Sequence, residues 1–178
     1  MNLNKYYNLS IEELEKYNFS KVLEWVAWII KNQEGDLLLV LENTEKSWKK
    51  ADQWSFLMEW MEEWETKEET IIRWVKEELW LDNIDKKQIF NKNLTLPFIV
   101  YDSKKEVLVF VKLHVFEIYL NDKQISQALK QNSDEIKEAK LFKEKEIYDI
   151  VNLRPWVKEV LKWKIGTTII KDWEYLYD

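Results

Sequence analysis

Glu65, Arg73, Glu77 and Glu78 are the residues of this chain whose types and spacing could do chemistry. On a helix, Arg73 lies one turn before Glu77 and can pair with it, fixing its rotamer. Glu77 and Glu78 set two carboxylates side by side, and Glu62 and Glu63 add more just upstream. Adjacent carboxylates repel, so clustering them is favourable mainly when a cation sits among them. Oxygen-only donors suit Mg²⁺ or Mn²⁺, which keep waters and also bind phosphates. Such an ion can polarise a phosphoryl oxygen and lower the pKa of an attacking water, the chemistry of phosphoanhydride hydrolysis. The competing reading is the solvated face of a Glu/Lys-rich helix.

The element carrying these residues is a helix from Thr66 to Leu79. Thr66 is a cap, Glu69 closes a capping box, and Ile71, Ile72, Val75 and Leu79 make the apolar stripe. Trp74, Glu77 and Glu78 are expected to share one surface of it. Around this helix the pattern is mostly of strands. Residues 22–30 read as a buried strand, Gly35 marks a turn over 32–36, and LLLVLEN returns as the second arm of a hairpin. A loop over 45–52 leads to a short strand at 54–58. Residues 89–101 and 106–120 read as a long antiparallel pair. A short helix is expected over 10–17, capped by Ser10 with Glu13, a short strand over 139–142, and helices over 145–151 and 155–164, with Pro155 in a first turn. Residues 122–131 are ambiguous. Strands mixed with helices imply an α/β fold, a mixed sheet with helices on its faces. The expected organisation is a single domain over 1–178: a helical extension over 1–20, a core over 21–164 and a tail over 165–178.

Composition narrows the function classes. The chain has 178 residues, enough for one domain with a full core, and 46% hydrophobic residues, too many for a disordered chain. No apolar run reaches the ~20 residues a membrane helix needs, and the first ten residues carry no export signal. Zero cysteines removes thiolate metal sites and cysteine nucleophiles, and fits a cytoplasmic protein. A net charge of -6 argues against a nucleic acid polymer as partner. His114 is the sole histidine and lies in the apolar strand VKLHVFEIYL, so it reads as a satisfied structural histidine. One histidine excludes two-histidine zinc motifs and disfavours a Ser-His-Asp triad.

The stretch from 59 to 81 resembles the Nudix box, G-x5-E-x7-R-E-U-x-E-E-x-G-U, where U is a bulky apolar residue. Glu65, Arg73, Val75, Glu77, Glu78 and Leu81 match it, and the preceding WSFLME resembles the lead-in W-x-F-P-x-G. Glu59, Leu57, Trp74 and Trp80 depart from it. The resemblance implies a Nudix-like α/β/α sandwich and a Mg²⁺- or Mn²⁺-dependent hydrolase of nucleoside diphosphate derivatives. It implies that Glu77 and Glu78 ligate the metal, that Arg73 and Glu65 orient helix and loop, and that a backbone carbonyl near Met58 joins the shell. Trp74 stands where a carboxylate is usual, so a later-loop glutamate is expected to serve as base or ligand: Glu135 first, Glu138 second. Pro97 falls sixteen residues past Leu81, a spacing associated with ADP-ribose pyrophosphatases, although an edge or bulge proline reads equally well. A nucleoside-triphosphate hydrolase stands level with that substrate. A non-cleaving nucleotide sensor and an acidic scaffold with no ligand are the other readings, and a homodimer is compatible with any of them.

Tryptophan numbers 11 and glycine 2. Counting both as glycine restores the ordinary abundance of roughly 7%. Trp28 interrupts a strand pattern, Trp64 stands in an acidic turn, and Trp80 stands where a helix should end in a left-handed residue, a place glycine usually holds. The expectation is that UGA codons meaning glycine were read as tryptophan at such positions, whereas Trp54 looks genuine.

Overall fold

The architecture is set by one strand that is buried on both faces. In the computed structural model, which describes residues 3–6, 9–42, 53–130, 136–162 and 168–171, β1 (Lys21–Lys31) is fully buried from Trp25 to Ile30. Such a continuous apolar run belongs in the middle of a sheet covered on both sides. β1 pairs in parallel with β6 (Val107–Tyr119) along its whole length. Its other edge is shared: β4 (Leu57–Trp60) takes positions 25–28 and β2 (Leu37–Glu42) takes positions 30–31, both antiparallel. Gly35, at φ 86, makes the turn from β1 to β2.

The remaining strands extend the sheet. β3 (Trp54–Ser55) lies on β2, and β5 (Ile89–Asp102) lies antiparallel on β6. β7 (Ile136–Phe142) pairs with β2, and β8 (Thr168–Lys171) lies parallel on β5. The order is β3-β2-β1-β6-β5-β8, with β4 on β1 and β7 on β2. Pro97 lies opposite Lys112 of β6, one residue before Phe98, the first β5 residue paired with the described part of β8.

Helices cover both faces, the α/β/α arrangement expected. α2 (Lys67–Leu79) and α3 (Asp122–Ala128) pack Ile71, Val75, Leu79, Ile125 and Ala128 on Val26, Trp28, Ile30, Phe116 and Ile118. On the opposite face, α5 (Pro155–Leu161) sets Trp156, Val157 and Val160 against Ala27, Ile29, Phe98, Val111 and Leu113, with Ile147 of α4 (Glu144–Ile147). α1 (Ile11–Leu14) buries Leu14 against Ile99 and Phe110. Each buried aliphatic side chain of α2 contributes up to about 1.5–3 kcal/mol, enough to hold that helix rigidly on the sheet.

Several expectations change in detail. The N-terminal helix keeps its Ser10–Glu13 capping box but ends at Leu14. The strand expected at 54–58 is two short strands, β3 and β4. Residues 122–128 are helical, and Asn121 caps them. The loop over 45–52 lies outside the described residues. Among the tryptophans, Trp80 adopts φ 52, ψ 32, the left-handed conformation expected. Trp64 is exposed in its turn but has no positive φ, and Trp28 is fully buried with its ring 5.3 Å from that of Trp74.

Candidate functional site

The catalytic-type residues are placed by the two ends of α2. At its start, the Thr66 hydroxyl accepts the Glu69 N–H at 3.3 Å and the Glu69 carboxylate accepts the Thr66 N–H at 2.9 Å, the capping box read from sequence. At its end, the N–H groups of Trp80 and Leu81 both turn back to the Val75 carbonyl. The backbone can turn so sharply only in the left-handed region, which costs a non-glycine residue about 1–2 kcal/mol.

Arg73 is the hub. Its Nε donates to Glu65 Oε1 at 2.7 Å and its Nη2 to Glu65 Oε2 at 3.0 Å, a bidentate pair that fixes both planes. The Thr70 hydroxyl, fully buried, donates to the same Glu65 carboxylate at 3.0 Å. Glu65 stands just outside the helix, so these three bonds clamp the loop over 60–66 to α2. Arg73 Nη1 also lies 3.6 Å from Glu77, the one-turn pair expected. The hydrogen bonds from Arg73, with that from Thr70, hold the Glu65 carboxyl below the usual carboxylate range, and Glu65 drives the Arg73 guanidinium pKa further up.

Glu77 is exposed and Glu78 half-buried, at the border of the buried arc of α2. Trp74 does not share their surface, contrary to the expectation from spacing. It is buried in the core under the sheet, because position 74 lies three residues after Ile71 and one before Val75 and so widens the apolar stripe inward. Glu138 lies exposed on β7 opposite Leu41, and Glu135 lies outside the described residues. Met58 lies on β4, paired with Ala27.

Two contributors escaped the sequence reading. Thr70 was unmarked, although it lies one turn before Arg73 and therefore faces the same carboxylate. Glu59, noted only as a departure from a glycine, places its charge close enough to act on Arg73, and its carboxylate accepts the Trp60 N–H at 2.9 Å. Arg73 is thus surrounded by the charges of Glu65, Glu77 and Glu59.

A divalent ion fits these donors by chemistry: Mg²⁺ binds through one or two carboxylates and keeps its waters, so Glu77 and Glu78 satisfy its minimum. No group of three His, Cys, Asp or Glu side chains that could hold a metal is gathered among the described residues. His114 lies apart from this set. Its Nδ1 is 2.9 Å from the Thr95 hydroxyl and its Nε2 meets the Glu24 carboxylate, so both ring nitrogens are satisfied. Burial holds its pKa below the ordinary histidine value.

The profile of the NUDIX domain matches residues 22–164. No curated protein sequence matches the chain. Among solved structures, the chain is similar to a MutT protein from Methanosarcina mazei Go1, at 19% identity and a TM-score of 0.59, over 82% of this chain and 94% of that one. It is also similar to the NUDIX domain of Shewanella oneidensis NrtR, a structure complexed with ADP ribose, at 13% identity and a TM-score of 0.56, over 92% of this chain and 96% of that one. These likenesses show the fold.

Proposed function

The chain belongs to the NUDIX domain family, and on that premise we propose that it is a divalent-metal-dependent hydrolase that cleaves the pyrophosphate bond of a nucleoside diphosphate derivative. The observation that carries this reading is the bidentate Glu65–Arg73 clamp, which locks the loop to the helix bearing Glu77 and Glu78. Those two glutamates would hold Mg²⁺ or Mn²⁺, with Glu135 as a third ligand. Bound there, the ion would supply Lewis-acid polarisation of a phosphoryl oxygen and acidify the attacking water.

Arg73 and Glu65 are positioning residues in this account: they set the rotamer of Glu77 and the path of the loop. The base that takes the water's proton as the P–O–P bond breaks is Glu135 or Glu59, since position 74 offers no carboxylate. Glutamine at each position in turn separates the two: only at the true base does the substitution remove the acidic limb of the pH–rate profile, where activity rises as the base loses its proton. The substrate is an ADP-ribose-like molecule or a nucleoside triphosphate, not a nucleic acid polymer. The protein works as one domain in the cytoplasm, alone or as a homodimer.

A second reading has one specific observation behind it. Position 74 holds a tryptophan buried in the core, so the helix lacks one carboxylate of the motif, which suits a module that binds a nucleotide without cleaving it. Product release from a nucleotide panel with Mg²⁺ decides between them. Turnover that Glu78→Gln removes supports the hydrolase, and binding without turnover supports the sensor. We also propose that Trp80 stands at a codon meant for glycine. UGG at that position in the gene would end that idea.

A further inference from the structure

At the end of β6, on the sheet face opposite α2, lies a second cluster with the reverse charge balance. Glu117 is 3% exposed, and a carboxylate buried so deeply must be paired. Lys31 Nζ reaches its Oε1 at 2.7 Å, and Lys92 Nζ reaches its Oε2 at 3.1 Å. The Tyr119 hydroxyl donates to the same Oε2 at 3.1 Å.

Lys92 lies in an irregular stretch of β5. The register of β5 on β6 shifts between Asn91 and Leu94, and Asn93 adopts φ 52 with its N–H on the Asn91 side-chain oxygen at 2.7 Å. The two inserted residues preserve the alternation, so Lys92 stays on the face of Phe90 and Leu94, which is also the face of Glu117. Beside the cluster opens a pocket of ≈ 720 Å³, lined by Lys87, Phe90, Lys92, Glu117 and Tyr119 among others. Its volume lies within the range of small-molecule sites, and it is a groove broadly open to solvent. Phe90 and Tyr119, 49% and 40% exposed, meet edge to face with ring centres 5.4 Å apart. Exposed aromatic rings beside ammonium groups offer a planar ligand a stacking wall and its charge a counter-ion.

We propose that this pocket is a second ligand site, which binds an aromatic ring carrying an anionic group, separate from the acidic site of α2. The two lining lysines outnumber the one carboxylate, so the pocket is locally positive in a chain of net charge -6. Glu117 acts as the fixed post that holds Lys92 at the wall. A nucleotide and an aryl carboxylate both have the required chemistry.

The test is titration of the full chain with AMP, 4-hydroxyphenylacetate, adenosine and inorganic phosphate, followed by amide NMR in metal-free buffer with a chelator. The absence of metal separates this site from the reaction at α2, so its outcome does not depend on the hydrolase reading. The expected result is saturable shifts at residues 87–92 and 117–119 with AMP or with the aryl carboxylate. Whichever saturates at lower concentration identifies the source of the ring, and adenosine and phosphate alone should bind at least about tenfold more weakly. Phe90→Ala and Lys87→Glu, both at exposed positions, should each weaken that binding about tenfold. Shifts that appear elsewhere only, phosphate alone binding as well as AMP, or indifference to both substitutions would overturn the proposal.

Discussion

The molecule contains two charge knots built on opposite plans. On α2 one cation, Arg73, is surrounded by the carboxylates Glu65, Glu77 and Glu59. At the end of β6 one carboxylate, Glu117, is gripped by two ammoniums, Lys31 and Lys92. The first leaves a surplus of negative charge beside Glu78 and suits a cation. The second leaves a surplus of positive charge beside two exposed rings and suits an anion. The lesson is that the minority charge organises each knot, in the acidic one jointly with the little-exposed Glu65. Arg73 with its partner Glu65, and Glu117, are the groups that fix geometry, and the remaining charges, such as Glu77, are the more exposed ones.

The sharpest way to break this symmetry is to strand the buried member of each knot. The double substitution Lys31→Ala/Lys92→Ala leaves Glu117 buried with no cation and should cost about 3 kcal/mol in urea unfolding. Adding Glu117→Gln to that pair should recover most of the loss, because the uncompensated charge is then gone. Arg73→Ala leaves Glu65 with only the Thr70 hydroxyl among its side-chain partners here, in a more solvated place, and should cost about 1–3 kcal/mol. Arg73→Lys should recover part of the stability but not the bidentate geometry.

Both knots also respond to pH in the same direction. Burial pushes the Glu117 carboxyl up, but the hydrogen bonds and charges of Lys31 and Lys92 outweigh it and bring the net pKa below the usual range. Glu65 is lowered by its bond from Arg73. Glu24 is lowered too, since its His114 and Lys112 contacts overcome burial. For each, the unfolded chain takes up its proton first as pH falls, so the stabilisation is complete above the ordinary carboxylate pKa and lost through the lowered one. His114, lowered by burial, adds an earlier loss that begins near the ordinary histidine value of about 6.5. Thermal melts should therefore fall in two stages on acidification, the first removed by His114→Gln.

The smallest expected effect lies at the helix end beside the acidic knot. Trp80→Gly relieves a left-handed tryptophan and should stabilise the chain by about 1 kcal/mol, raising Tm by about 2–4 °C. Trp64→Gly, in a turn without positive φ, should gain nothing of this kind.

The two knots were not equally legible in the sequence. The acidic one is local: Glu65, Arg73, Glu77 and Glu78 lie within fourteen positions, and helical spacing states which can meet. The Thr66–Glu69 cap and the long β5–β6 pair were readable for the same reason. Trp74 misled, because spacing alone does not say how far the buried arc of a helix extends. Glu117 was invisible: it meets Lys31 across 86 positions, through a parallel pairing of β1 and β6 that no local pattern announces. Lys92 meets Glu117 across 25 positions, at a register shift between Asn91 and Leu94 that no local pattern signals.

The most direct test of the central claim is Mg²⁺-dependent product release from ADP-ribose and nucleoside triphosphates, comparing the unsubstituted chain with Glu78→Gln. The account predicts that turnover falls by a factor on the order of 10²–10³ while the thermal melt stays intact. Turnover in Glu78→Gln equal to that of the parent would contradict it.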